Sequence, residues 1–233
     1  MNHKTETNHE TGSGKNTAAR IFFYLLGICI LALGLTLSTK TNLGASPIIA
    51  VAFAISRLSG LKLGDATFLL YCFFILVQIG LHLFSVQKHF SRSKKAILTD
   101  LLQLPFSIFF TRLLNLYAAR IPAPETIPHR ILLLVLAVVL IGCGAALMLD
   151  MRLVASPGDG IVQTLSDSSG LELGLTKNLV DVCCVLATCA LTLGFTGHII
   201  GIGIGTLAGM FGTGRVIAAF NKLFGARLIP LGK

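Results

Sequence analysis

The chain has 233 residues, of which 54% are hydrophobic and only 29 are charged, 19 Lys or Arg and 10 Asp or Glu, where a soluble domain of this length carries about 58, roughly 25%. A mean hydropathy of +0.81, with apolar runs too long for core helices, excludes a water-soluble globule and leaves no mixed stretch in this sequence for a separate catalytic domain. The net charge of +9 raises nucleic acid as a partner, but no basic face interleaved with aromatics accompanies it, so the excess is read as Lys and Arg gathered in cytoplasmic loops and no nucleic acid is expected.

Residues 1–19 are polar and rich in Gly, Ser and Asn, which predicts a disordered cytoplasmic tail. The first apolar run, about 20–38, resembles a signal peptide in composition, but no A-x-A-like cleavage site follows it and further spans do, so it is read as a retained helix. Runs at 66–86 and 97–118 follow. The latter carries Asp100, Gln103, Arg112 and Asn115 around Pro105 and is expected to turn that face inward, because polar groups facing lipid are costly. A linker at 119–130 leads to runs at 131–149, 175–195 and 199–220, with a C-terminal tail at 226–233. Two further apolar pieces, 47–58 and 157–167, are too short to span.

Shifting the chain by 110 residues aligns Gly34 and Leu37 with Gly144 and Leu147, Leu43-x-Ala45-Ser46-Pro47 with Leu153-x-Ala155-Ser156-Pro157, and Ser59-Gly60-Leu61-x-Leu63-Gly64 with Ser169-Gly170-Leu171-x-Leu173-Gly174. With Ser56 against Ser166, that is 12 identities in 31 positions without a gap. The chain is therefore read as two membrane repeats, 20–118 and 131–225. In each, Ser-Pro predicts a helix start, since serine caps an orphan amide and proline costs nothing at the first helical position. Gly60 and Gly170 fall where a left-handed cap would end the short helix.

Two topologies compete. If the short helices cross, each repeat has four spans and the halves are parallel. If they re-enter, each has three, the halves are inverted, and the basic loop with Lys88, Arg92, Lys94 and Lys95 falls on the cytoplasmic side with both termini, as the positive-inside rule favours. The preferred expectation is an all-α polytopic membrane protein of two internal repeats, each about three transmembrane helices plus a short re-entrant or half helix.

The paired Ser-Pro starts carry the most chemical information. Exposed amides at a helix N-terminus attract anions or carbonyl oxygens, and irregular backbone at membrane depth is tolerated only where it is buried in protein or lines a wet cavity. Ser46, Pro47, Ser156, Pro157, Asp159 and Gln103 are accordingly the expected lining of a central substrate cavity. The plainer alternative is that both pairs only start interfacial helices and that Asp159 only favours the dipole. Asp181 and Lys177, four apart on one helical face, are either a structural ion pair or part of the substrate path. Arg112 and Arg215 are read as snorkelling to the interface, with substrate contact as the alternative. Gly197, Gly201, Gly205 and Gly209 recur every fourth residue and predict a packing stripe on the last helix.

No enzyme is expected. His-Glu-x-x-His, Gly-x-Ser-x-Gly and P-loop motifs are absent, the Gly-x-Gly-x-Gly run at 201–205 lacks a strand and an acidic follower, and the six cysteines and six histidines form no ligand pattern, so neither cofactor nor metal is expected.

The two Ala-Ser-Pro units, Gly-Leu-x-Leu-Gly and Leu101-Leu102-Gln103-Leu104-Pro105 together resemble the YczE-like (YczE/YyaS/YitT) integral membrane proteins over about residues 20–225. Leu43-Gly44-Ala45-Ser46-Pro47, Ser156-Pro157-Gly158-Asp159-Gly160, Gln103, Pro105 and Gly205-Thr206 match that pattern; Ile49 and Asn115 depart where the family often has an acidic residue. The expected place is the bacterial cytoplasmic membrane, multi-pass, in contact with the lipid bilayer. The expected function is that of a small-solute transporter or permease. The rivals are a membrane accessory or scaffold protein and a substrate-binding subunit of an ATPase-driven multi-component importer. A homo-oligomer or a partner membrane subunit is compatible with each.

Overall fold

Long apolar segments can satisfy their backbone in lipid only by hydrogen-bonding within themselves or by closing a barrel, and this chain does the former. The computed structural model describes the backbone of residues 6–85 and 90–228 and the side chains of 17–83 and 96–225. Lys88, the side chains of Arg92, Lys94 and Lys95, and residues 229–233 lie outside the described residues. Those described form helices without strands: α1 Glu6–Lys40, α2 Pro47–Ser59, α3 Leu63–Ser85, α4 Phe90–Arg120, α5 Ile127–Met151, α6 Pro157–Ser169, α7 Leu173–Thr196 and α8 Ile204–Leu228.

Thr17–Lys40, Leu63–Leu83, Ala96–Arg120, Ile127–Met151 and Leu173–Thr196 are long and apolar enough to cross a membrane. The chain is a multi-pass membrane protein. Two expectations need correction. α1 begins at Glu6, inside the segment expected to be a disordered tail; that segment contains no proline to stop a helix. The sixth apolar run, 199–220, is not one helix: residues 199–203 are irregular, and α8 starts only at Ile204 and, as an unbroken helix of 25 residues, is made less apolar by Arg215, Lys222 and Arg227.

α1 and α5 are antiparallel partners. An Nη2 of Arg20 donates to the Met151 carbonyl at 3.0 Å and the Tyr24 hydroxyl to the Val154 carbonyl at 2.7 Å, while Gly27 faces Gly144 and Gly34 faces Ile141. A Cβ on Gly34 would stand 2.8 Å from the Ile141 nitrogen, so the absent side chains set how closely the helices approach. α3 and α4 form a second antiparallel pair, in which Gly64 N donates to Asn115 Oδ1 at 2.7 Å and Gln78 meets Gln103. α4 flanks α1, α8 flanks α5, and both short helices lie between α3 and α7.

The segment leading into α2 is tied to the one leading into α8. Ala45 N donates to the Gly201 carbonyl at 2.9 Å and Gly205 N to the Leu43 carbonyl at 2.7 Å. The predicted glycine stripe is therefore divided. Gly197 is the left-handed C-cap of α7 at φ 72, Gly201 stands in the irregular segment at φ 84, and only Gly205 and Gly209 belong to α8. A spacing of four imitates a helical stripe, but at the first two positions glycine supplies positive φ instead.

Candidate functional site

α2 and α6 are each 13 residues, about 20 Å at 1.5 Å per residue, well short of a hydrocarbon core of about 30 Å. Each ends on a left-handed glycine, Gly60 at φ 76 and Gly170 at φ 72. Beyond the cap, Ser56 Oγ donates to the Leu61 carbonyl and Ser166 Oγ to the Leu171 carbonyl, both at 2.7 Å. The short helices begin against one another: a Cβ on Gly158 would stand 3.2 Å from Ile48 Cδ1.

Their first turns differ. Ser156 Oγ accepts from Asp159 N at 3.2 Å and donates to Asp159 Oδ2 at 2.7 Å. Ser46 has the same extended backbone, φ −60 and ψ 148, without any side-chain cap bond, contrary to the expectation that both serines cap. Ala45, the residue before it, is held by the tie to Gly201, and Ser46 lies against Gly209 of α8. No acidic residue stands in the first turn of α2.

Around the start of α6 the neighbouring helices place a chain of buried polar groups. Gln103 Nε2 donates to Gln78 Oε1 at 3.0 Å and Gln78 Nε2 to Gln103 Oε1 at 3.3 Å, a reciprocal amide pair; Gln78 Nε2 also faces the Phe74 carbonyl at 3.3 Å and the Pro157 carbonyl at 3.5 Å. The chain continues from Gln103 Nε2 to Asp100 Oδ1 at 3.5 Å and from Asp100 Oδ2 to His82 Nδ1 at 2.7 Å. Gln78 is fully buried and Gln103 2% exposed. A Cβ on Gly160 would stand 2.6 Å from Gln78 Oε1 and 2.8 Å from Gln103 Nε2, so the missing side chain is what lets both amides rest on the helix. A pair of carboxamides offers donors and acceptors without a net charge, and here the two amides satisfy one another inside the bundle.

On the other side of the same turn, Ser156 and Asp159 line a cavity of about 180 Å³ with Leu31, Met148 and Arg152. That is smaller than the roughly 300 Å³ at which drug-sized ligand pockets begin. Asp181 lies within electrostatic range of Asp159. Its Oδ2 accepts from Lys177 Nζ at 3.3 Å, and its buried Oδ1 has no hydrogen-bond partner.

The structure thus brings Gln103, Pro157 and the turn holding Ser156 and Asp159 together, sets Pro47 at the adjoining helix start, and leaves Ser46 facing α8. Arg112, expected to snorkel, pairs with Asp65 at 3.3 Å in an exposed contact, worth about 0–1 kcal/mol. Gln78 and His82 join this site although neither belongs to a motif in the sequence. Their signal is the spacing: Gln78 and His82 are four apart, Asp100 and Gln103 three apart, so each pair shares a helical face.

No curated protein and no solved structure matches the chain. The model of a family of unknown function, DUF6198, matches residues 18–222, which include both short helices and the whole polar chain from His82 to Gly160, and the protein therefore belongs to the DUF6198 family.

Proposed function

We propose that the protein is a permease for a small polar solute, and not an enzyme, built of two inverted repeats in the bacterial cytoplasmic membrane, with α8, which runs along α5 from Leu134 against Gly205 to Gly142 against Val216, as the sixth crossing and both termini cytoplasmic. One observation carries the reading: two helices too short to span start side by side inside the bundle, at Ile48 and Gly158, next to a buried amide pair. Discontinuous helices that meet within the membrane are a recurrent way for transporters to build a solute site, with one repeat moving against the other. The antiparallel course of α1 and α5, the first long helices of the two repeats, supports the inverted arrangement. Kinship with the YczE-like proteins is part of the same proposal and is supported by the Ser-Pro starts.

The test is uptake of a panel of radiolabelled sugars, amino acids and small organic acids into proteoliposomes containing only this chain. Saturable uptake of at least one solute, reduced about tenfold or more by Gln103→Leu, is the expected outcome. Uptake that appears only after ATPase subunits are added would assign the chain to a multi-component importer, and no uptake in either form would overturn the permease reading.

A further inference from the structure

Where α1 and α2 finish and α3 begins, two cavities of about 360 and 440 Å³ adjoin, sharing Thr39, Asn42, Phe53 and Arg57. Both volumes fall in the range of small-molecule sites, about 300–1,000 Å³. Their charged lining is Lys40 and Arg57, and no acidic side chain lines either cavity. Asp65, on the adjoining first turn of α3, is already held by Arg112 at 3.3 Å and Asn115 at 3.0 Å.

Each cation stands in the last turn of its helix, where the dipole favours positive charge. That explains their tolerance there but leaves their donors unused: among the described residues neither makes a side-chain hydrogen bond or ion pair. Arg57 is further positioned by the Phe53 ring, 5.0 Å below the guanidinium carbon. A planar guanidinium and an ammonium over one cavity suit an acidic oxygen group. In the smaller cavity, Ile199 to Ile202 add an apolar lining beside Phe53 and Arg57.

We propose that these joined cavities bind an organic anion, its carboxylate or phosphate between Lys40 and Arg57 and its apolar body against Phe53 and the Ile199–Ile202 wall. Two sources carry this chemistry, a free organic acid and the headgroup of an acidic lipid. The site stands apart from the amide pair of the proposed permease, and its test is binding alone.

The full chain is placed in nanodiscs of phosphatidylcholine, and its melting temperature is followed against benzoate, with benzamidine as the cationic counterpart, and in nanodiscs containing phosphatidylglycerol. A saturable benzoate-induced rise, with binding weakened about tenfold by Arg57→Gln and less by Lys40→Gln, supports the site with a free acid as ligand. A rise in phosphatidylglycerol discs that both substitutions diminish supports it with a lipid headgroup. Arg57→Lys, which keeps the charge, retains part of either effect, and variants are compared only where their helical circular dichroism equals that of the parent. Absence of any shift, a shift unchanged by Arg57→Gln and Lys40→Gln together, or an equal response to benzamidine overturns the proposal.

Discussion

α2 and α6 share their length, their Ser-Pro start and their glycine stop, and differ in what lies between. After Pro47 come Ile48, Ile49 and Ala50; after Pro157 come Gly158, Asp159 and Gly160. The first set closes the space, with Ile49 2% exposed and Ala50 fully buried. The second opens it: Gly160 admits the Gln78 and Gln103 amides, and Asp159 faces a cavity. Caps set where a short helix stands, and the three residues after the proline decide whether its start is a packing surface or a polar site.

The most forceful way to break this contrast is to make α6 resemble α2. Gly160→Leu drives a side chain into a site where even a Cβ would stand 2.6 Å from Gln78 Oε1, and it should cost about 3 kcal/mol or more through overpacking and loss of the amide pair. Unfolding of the purified protein measures this. A loss under about 1 kcal/mol would mean that the site has slack the geometry does not show.

A finer probe is the amide pair itself. Gln103→Leu leaves the buried Gln78 amide with poorer partners and should cost about 1–3 kcal/mol, whereas Gln78→Leu together with Gln103→Leu should recover part of that loss, because two apolar groups leave nothing unsatisfied. Strictly additive losses would show that the two amides do not act as a unit.

The smallest expected effect compares the caps. Ser156→Ala removes an oxygen that accepts from Asp159 N and should cost about 1 kcal/mol. Ser46→Ala removes a hydroxyl that caps nothing and should stay within about 0.5 kcal/mol. Equal losses would remove the asymmetry between the two helix starts.

The short helices were legible because their signals are local. Ser46-Pro47 and Gly60, like Ser156-Pro157 and Gly170, mark start and stop without reference to any neighbour. Gln103 was legible as a polar residue that had to face inward. Gln78 was not, because one glutamine in an apolar helix does not announce a partner, and its role depends on α6 packing against α3. The glycines from 197 to 209 misled because a period of four describes both a helical stripe and, by coincidence, two turn positions followed by a helix. Ser46 misled for a tertiary reason: its residue type favours capping, but its surroundings on α8 left the hydroxyl unused.

The two segments that lead into the short helices are anchored by different kinds of bond. At α2 the anchors are the peptide groups of Leu43, Ala45, Gly201 and Gly205; no side chain makes these bonds, but Gly201 stands at positive φ and a Cβ on Gly205 would overlap the Gly44 carbonyl oxygen, so a side chain at either glycine would push the paired backbone segments apart. At α6 the long-range anchors are the side chains of Arg20 and Tyr24, each removable by one substitution. The entry to α6 can therefore be loosened by removing a side chain, whereas the entry to α2 is loosened by adding one.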